Sequence, residues 1–207
     1  MRVSVGYRKG GDDMRFAYAD PPYPGQSADL YGDHPDYAGE VDHAELVGRL
    51  CQDYPDGWAL STSARALRMV LDLCPPDVWV AAWHKTNSPP IRTTGRRIWT
   101  WEPVIVQGAR QQRGTAPDVR DSLASAQHQS FPGLKPPIFT RWIAALLGAT
   151  HDDMIDDLFP GSGAVGRELA TIRRQPVLAE VQMTLDGQPA KRARHKVSLP
   201  GRSTRGV

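Results

Sequence analysis

The chain has 207 residues, 40% of them hydrophobic and 23% charged, with a formal net charge of +2. That length suits one domain with a sizeable core, and the near-neutral balance does not by itself announce nucleic-acid binding. The two cysteines, Cys51 and Cys74, make neither a disulfide framework nor a metal-ligand spacing. The N-terminus lacks the apolar run of a secretory signal, and no stretch is long and apolar enough to span a bilayer. A cytoplasmic protein with no membrane partner is expected.

Short apolar runs alternate with helical segments, the pattern of an α/β sheet. Residues 16–19 read as a first strand that ends at Asp20, and 23–40, rich in Gly, Pro, Asp and Tyr, as a loop. A helix is expected over 42–53, with Leu46, Val47 and Leu50 on one face and Asp42 and Glu45 at its start. A strand at 58–61 leads to a helix at 64–73, capped by Ser63 and stopped before Pro75. The third strand covers 78–83, and a loop over 84–98 carries Pro89, Pro90 and the basic cluster Arg92, Arg96 and Arg97. The fourth strand, 102–106, contains Pro103, which points to an edge or a strand start. Residues 108–133 are polar and are expected to be flexible or ordered only by a partner. A helix at 138–147, a strand at 154–158, a helix at 163–173 and a strand at 176–181 complete the sheet, within a domain of residues 1–185. After Asp186 a basic tail (186–207) has no acid, the pattern of a solvated end; residues 196–199 are a candidate last short strand.

Two short motifs carry chemistry. In Asp20-Pro21-Pro22-Tyr23 the prolines remove two N–H donors and hold φ near −65°, leaving pure carbonyl acceptors beside a carboxylate. A carboxylate and a carbonyl at the rim of a cleft accept both protons of an amino group, and Tyr23 can stack on a flat ring. The set reads as a receptor for a planar heterocycle with an exocyclic amine. In the second, Asp157-Leu158-Phe159-Pro160-Gly161-Ser162-Gly163, a strand runs through a glycine turn into a helix. Glycines let the backbone turn sharply and approach a ligand, and the helix N-terminus offers free N–H groups. Glu180, at the end of the next expected strand, is placed either to accept hydrogen bonds from ribose hydroxyls or to be a solvated strand-end acid. His84 is a candidate substrate contact, and Arg92, Arg96 and Arg97 are either phosphate contacts or a solvated loop. The six histidines show no metal spacing, so no metal is expected. Trp79, Trp83, Trp99 and Trp101 read as core.

Together these motifs resemble those of the S-adenosylmethionine (SAM)-dependent amino-methyltransferases of nucleic acids. Asp20-Pro21-Pro22-Tyr23 matches the family's catalytic motif and the segment from Asp157 through Phe159, Gly161, Ser162 and Gly163 its cofactor motif. Lys135-Pro136 matches a third motif that lines the cofactor's methionine end. The resemblance covers roughly residues 14–182. The catalytic motif comes before the cofactor motif, as in the circularly permuted β-type arrangement. The implied fold is a Rossmann-like methyltransferase fold: one mixed, mostly parallel sheet with helices on both faces, in which the strands ending at Asp20 and Asp157 lie side by side. The resemblance implies SAM as cofactor and methyl transfer to the N6 amine of adenine in DNA. N4 of cytosine, N6 of adenosine in RNA and a non-catalytic nucleic-acid-binding subunit are the alternatives. Only residues 108–133 and the loop after Tyr23 are available as target-contacting regions, so specificity is expected to be short, relaxed, or supplied by a partner subunit or a homodimer.

Overall fold

A computed structural model describes residues 13–24, 41–87, 99–110, 119–127 and 134–174. The expected strand at 176–181, Glu180, the arginines at 92, 96 and 97 and the tail lie outside them. The elements run β1 (Arg15–Ala19), α1 (His43–Asp53), β2 (Gly57–Ser61), α2 (Leu67–Leu71), β3 (Trp79–Lys85), β4 (Trp101–Gly108), β5 (Ser122–Ser125), α3 (Pro137–Leu146), β6 (Met154–Asp157) and α4 (Ala164–Arg174). They form a six-stranded sheet in the order β5-β3-β4-β2-β1-β6. β4 runs antiparallel to both of its neighbours, and every other pairing is parallel.

Alternation along the strands divides the core. Phe16, Tyr18, Ala59, Trp83, Val104 and Val106 face α3 and α4, against Phe139, Ile143, Val165 and Leu169. Ala17, Ala19, Trp58, Leu60 and Ile105 face the other way, against Leu46, Val47 and Leu50 of α1 and Val70 of α2. Asp42 caps α1 as its residue type favours, its Oδ1 accepting from Ala44 N at 2.9 Å and Glu45 N at 3.0 Å. Buried Asp153 joins the start of β1 to the α3–β6 turn: it accepts from Met14 N at 2.8 Å and from Thr150 N at 2.6 Å.

Five expectations need correction. Pro103 lies inside a central strand, not at an edge or a strand start. Its carbonyl accepts from Thr62 N at 3.1 Å, so its missing N–H also faces Thr62, just beyond the last residue of β2, and the proline forgoes only the reciprocal bond at the point where the β2–β4 ladder ends. β3 continues to Lys85, so His84 lies in a strand rather than a loop: Lys85 N bonds Thr100 O at 2.7 Å and Thr86 N bonds Ser125 O at 3.1 Å, ladder bonds to strands on both sides. The polar segment 108–133 includes β5, an edge strand whose single large apolar residue, Leu123, is buried; too little periodicity exists there to read. Trp83 is core, but Trp79, Trp99 and Trp101 are 37%, 51% and 36% exposed: Trp79 starts β3 on the α3–α4 face, Trp101 starts β4 on the α1–α2 face, and Trp99 precedes β4. The helix expected at 64–73 is also shorter: Ser63 Oγ accepts from Ala66 N at 3.1 Å in a turn that precedes α2.

β2 begins and β4 ends where two glycines touch. A Cβ on Gly57 (φ +145°) would lie 2.7 Å from Ala109 N and 2.8 Å from Gln107 O, both backbone atoms that cannot swing away. Gly57→Ala is expected to destabilise the fold by about 2 kcal/mol or more. Gly48→Ala, mid-helix in α1 with nothing within 4 Å of the added methyl, should stabilise it by about 0.5–1 kcal/mol. Urea unfolding of both variants checks the opposite signs.

Candidate active site

Parallel pairing of β1 with β6 sets Tyr18 opposite Asp157, and Leu158 N continues the ladder to Tyr18 O at 3.0 Å. Asp20 and the Gly161–Gly163 turn, which follow these strands, therefore open at the same edge of the sheet. Pro21 is buried, and Asp20, Pro22 and Tyr23 are half-buried. The Tyr23 hydroxyl donates to Asp20 Oδ1 at 3.4 Å. Asp157 accepts from Phe159 N at 3.3 Å through Oδ1, while its Oδ2 is buried without a hydrogen-bond partner. Burial raises the Asp157 carboxyl above its ordinary range, with the Phe159 N–H pulling the other way.

The turn is built by its backbone. Gly161 and Gly163 both take positive φ (+45° and +73°), the left-handed region glycine enters without strain. Gly163 N closes the turn on Pro160 O at 2.6 Å, and Arg167 Nη1 donates to Ser162 O at 3.0 Å. Beside α4, a cleft of about 430 Å³ lies between Lys135, Pro136 and Pro137 at the start of α3 and Ala164, Arg167 and Glu168.

Lys135 lies in that wall, yet its ammonium turns towards Asp20. Its Nζ is 3.2 Å from Asp20 Oδ2 and also donates to Glu102 Oε1. Glu102 Oε2 in turn pairs with Lys85 Nζ at 2.9 Å. The aromatic faces of Trp83 and Phe139 stand 5.5 and 5.4 Å from the Lys135 ammonium. Lys135 is 5% and Glu102 4% exposed, whereas the Asp20 side chain keeps 21% of its surface accessible. A buried charge is tolerated only when paired, and here two carboxylates and two ammonium groups balance.

The environment moves each group. Burial, helped by Glu102, pushes the Asp20 carboxyl up to about 6, although Lys135 pulls it down. Burial works to raise Glu102 as well, but Lys135 and Lys85 together hold it below the usual carboxylate range. Lys135 is held above the ordinary lysine range: burial lowers it, and Asp20 and Glu102 overcome that. Tyr23 is raised well above its normal value, first by burial and then by Asp20.

The structure thus brings together Asp20, Pro21, Pro22, Tyr23, Lys135, Pro136, Asp157, Phe159, Gly161, Ser162 and Gly163. His84 is exposed on β3 and, by alternation, on the opposite face from Glu102. Glu180, Arg92, Arg96 and Arg97 lie outside the described residues. Sequence reading missed Glu102 and Lys85. The available signal was a carboxylate opening an apolar strand, Glu102-Pro103-Val104-Ile105-Val106, and a lysine closing the next-door one. No group of acids, histidines and cysteines suited to a metal occurs among the described residues, and none of the described helices is long and apolar enough to cross a membrane.

No family model and no curated protein matches the chain. Crystal structures of M1.HpyAVI are similar to it in fold. The complex of M1.HpyAVI with SAM superposes with a TM-score of 0.52 at 16% identity, covering 78% of this chain and 79% of that one. A second crystal structure of M1.HpyAVI gives a TM-score of 0.53 at 16% identity, with 78% of each chain covered. The fold is the Rossmann-like methyltransferase fold, a mixed, mostly parallel sheet between two helical layers.

Because the Asp20 carboxyl titrates higher in the folded chain than in the unfolded one, the native state binds more protons between about 4 and about 6. Its contribution to stability is therefore present at low pH and falls as pH rises through that window. Asp20→Asn is expected to remove this fall. Urea unfolding of both proteins at stepped pH measures it, and equal slopes would contradict the assignment.

Proposed function

We propose that the chain is a SAM-dependent methyltransferase that methylates the exocyclic N6 amine of adenine in DNA. The observation that carries this reading is the parallel pairing of β1 with β6, which opens Asp20-Pro21-Pro22-Tyr23 and the Asp157–Gly163 segment at one edge of a methyltransferase-type sheet. Ligands of open α/β sheets bind at such strand ends. The likeness to M1.HpyAVI, which was crystallised with SAM, supports the choice of cofactor.

Two features of the turn fit such a cofactor. Asp157 Oδ2 is a buried acceptor that makes no full hydrogen bond, with only the Gly166 N–H acting on the carboxyl from that side. A Cβ built on Gly161 would meet nothing nearer than Phe159 O at 3.9 Å, so the outer side of the turn is open. Asp157, Phe159, Gly161, Ser162 and Gly163 would hold the cofactor, with Pro136 in the adjoining cleft wall. Glu180, on the sequence pattern, would take the ribose. When bound, SAM supplies an electrophilic methyl group on a sulfonium.

The chain's own residues act on the amine. The lone pair of an adenine amine is delocalised into its ring, which makes it a poor nucleophile. Hydrogen bonds from its N–H groups to Asp20 and to the Pro21 carbonyl return density to nitrogen. The carboxylate then stabilises the positive charge that develops there and accepts the proton that the nitrogen sheds. Tyr23 stacks on the base, which in duplex DNA must be flipped out of the helix. Asp rather than Ser at the first motif position favours adenine over cytosine, by resemblance to the family.

Asp20→Ala is expected to lower methyl transfer by about 10³-fold or more and to leave SAM affinity within a few-fold by calorimetry. Labelled methyl transfer to duplex DNA, single-stranded DNA and RNA, followed by nucleoside digestion, tests the target. N6-methyladenine from DNA supports the reading. Methylcytosine or methylated RNA would redirect it, and no SAM binding would replace it with a non-catalytic nucleic-acid-binding subunit.

A further inference from the structure

The resemblance places Lys135 at the methionine end of the cofactor, but its ammonium is committed elsewhere. An ammonium has three N–H donors. Two reach Asp20 Oδ2, at 3.2 Å, and Glu102 Oε1, and two aromatic rings lie beside it. Glu102 is anchored through its other oxygen to Lys85 at 2.9 Å. A line of alternating charges thus crosses the site from β3 through β4 and the approach to α3 to the end of β1: Lys85, Glu102, Lys135, Asp20. The two inner members, Glu102 and Lys135, are buried, while the end members Asp20 and Lys85 keep 21% and 20% of their side-chain surface accessible.

We propose that Glu102 and Lys135 are positioning residues for Asp20: Lys135 orients the carboxylate, and Glu102, by sharing the Lys135 charge, keeps Asp20 a strong hydrogen-bond acceptor. The proposal rests on the reading that Asp20 receives the amine. Opposite charges a few ångströms apart in a largely buried site interact strongly, so each member tempers the next. Without Glu102 the whole Lys135 charge falls on Asp20, which becomes a weaker base and acceptor. Without Lys135 two neighbouring carboxylates lose the cation between them, and Asp20 becomes harder to ionise. The remaining groups that face Asp20 are Tyr23, whose hydroxyl donates to Asp20 Oδ1 and also lies against Glu102, and Tyr18 of β1, bonded at 2.9 Å to Ser61. Both are neutral, so Lys135 is the cation between the two carboxylates.

The two substitutions should therefore move Asp20 in opposite directions, whereas loss of packing would move it in neither. Carboxyl-¹³C aspartate NMR, with the Asp20 signal identified by its loss in Asp20→Asn, reads this without any cofactor. In Glu102→Gln, which keeps the shape, the Asp20 midpoint is expected to fall by about one pH unit or more. In Lys135→Met it is expected to rise. In methyl transfer, Glu102→Gln should lower kcat about tenfold, on the scale of removing one oriented charge contact, leave KM for SAM nearly unchanged, and move the acid limb of the pH profile with the NMR midpoint.

An unmoved Asp20 midpoint in Glu102→Gln overturns the proposal, and decides it even if Lys135→Met fails to fold. A large loss of SAM affinity in Lys135→Met with the midpoint unmoved would return Lys135 to the cofactor. If both midpoints shift as expected and the unaltered protein transfers no methyl group, the charge relay stands and the methyltransferase reading falls.

Discussion

Two parallel ladders meet on β1, and the arrangement of the site follows from them. Ala17 to Ala19 pair with Trp58 to Leu60 of β2, and Arg15 to Tyr18 pair with Met154 to Asp157 of β6. A parallel pair cannot be closed by a tight turn. β6 reaches β1 only after the rest of the sheet has been laid down, through α3. Asp153 fastens that return by accepting from Met14 N, 139 residues away in sequence. Pairing of such long range is slow to form. It also explains how two motifs at opposite ends of the described chain come to share one crevice.

The same edge holds an unusual concentration of buried charge. Burying an ion is costly and is recovered only by good pairing. Trp83, Phe139 and Tyr18 build the apolar walls that make Glu102 and Lys135 dependent on each other. Those walls also strengthen each electrostatic contact. Asp20 stands at the border, half in this dry cluster and half open, which suits a carboxylate that must keep its charge and still meet a substrate. Lys85 and Glu102 sit in strands, and Asp20 and Lys135 stand directly after β1 and directly before the α3 N-cap, so a rigid frame borders every member and fixes side-chain geometry well.

Much of the fold was legible because its signals are local. Leu46, Val47 and Leu50 lie on one face of α1, and Asp42 caps it. Strands β1, β2 and β6 are short apolar runs bounded by Asp or Gly, and Gly161 and Gly163 mark a turn that needs positive φ. What could not be read depends on neighbours. Pro103 looks like an edge residue until Thr62 is seen to stand where its missing donor points. β5 has one buried apolar side chain and no period, so it exists only because β3 offers it a ladder. Trp101 and Trp79 are apolar enough for a core, but no described helix covers them.

For the site, the sequence by itself determined the chemical parts: a carboxylate before two prolines and a tyrosine, a glycine turn between a strand and a helix, and a Lys-Pro pair before α3. Each is set by residue type within a few positions, and local backbone geometry needs nothing more. The side-by-side placing of β1 and β6 was implied by the family resemblance and is found in the sheet. Tertiary structure alone turned Lys135 towards Asp20 and brought in Glu102 and Lys85, whose importance comes from burial and from partners more than thirty residues distant for Glu102 and Lys135. Burial and charge pairing are properties of the packed interior, and no window of sequence contains them.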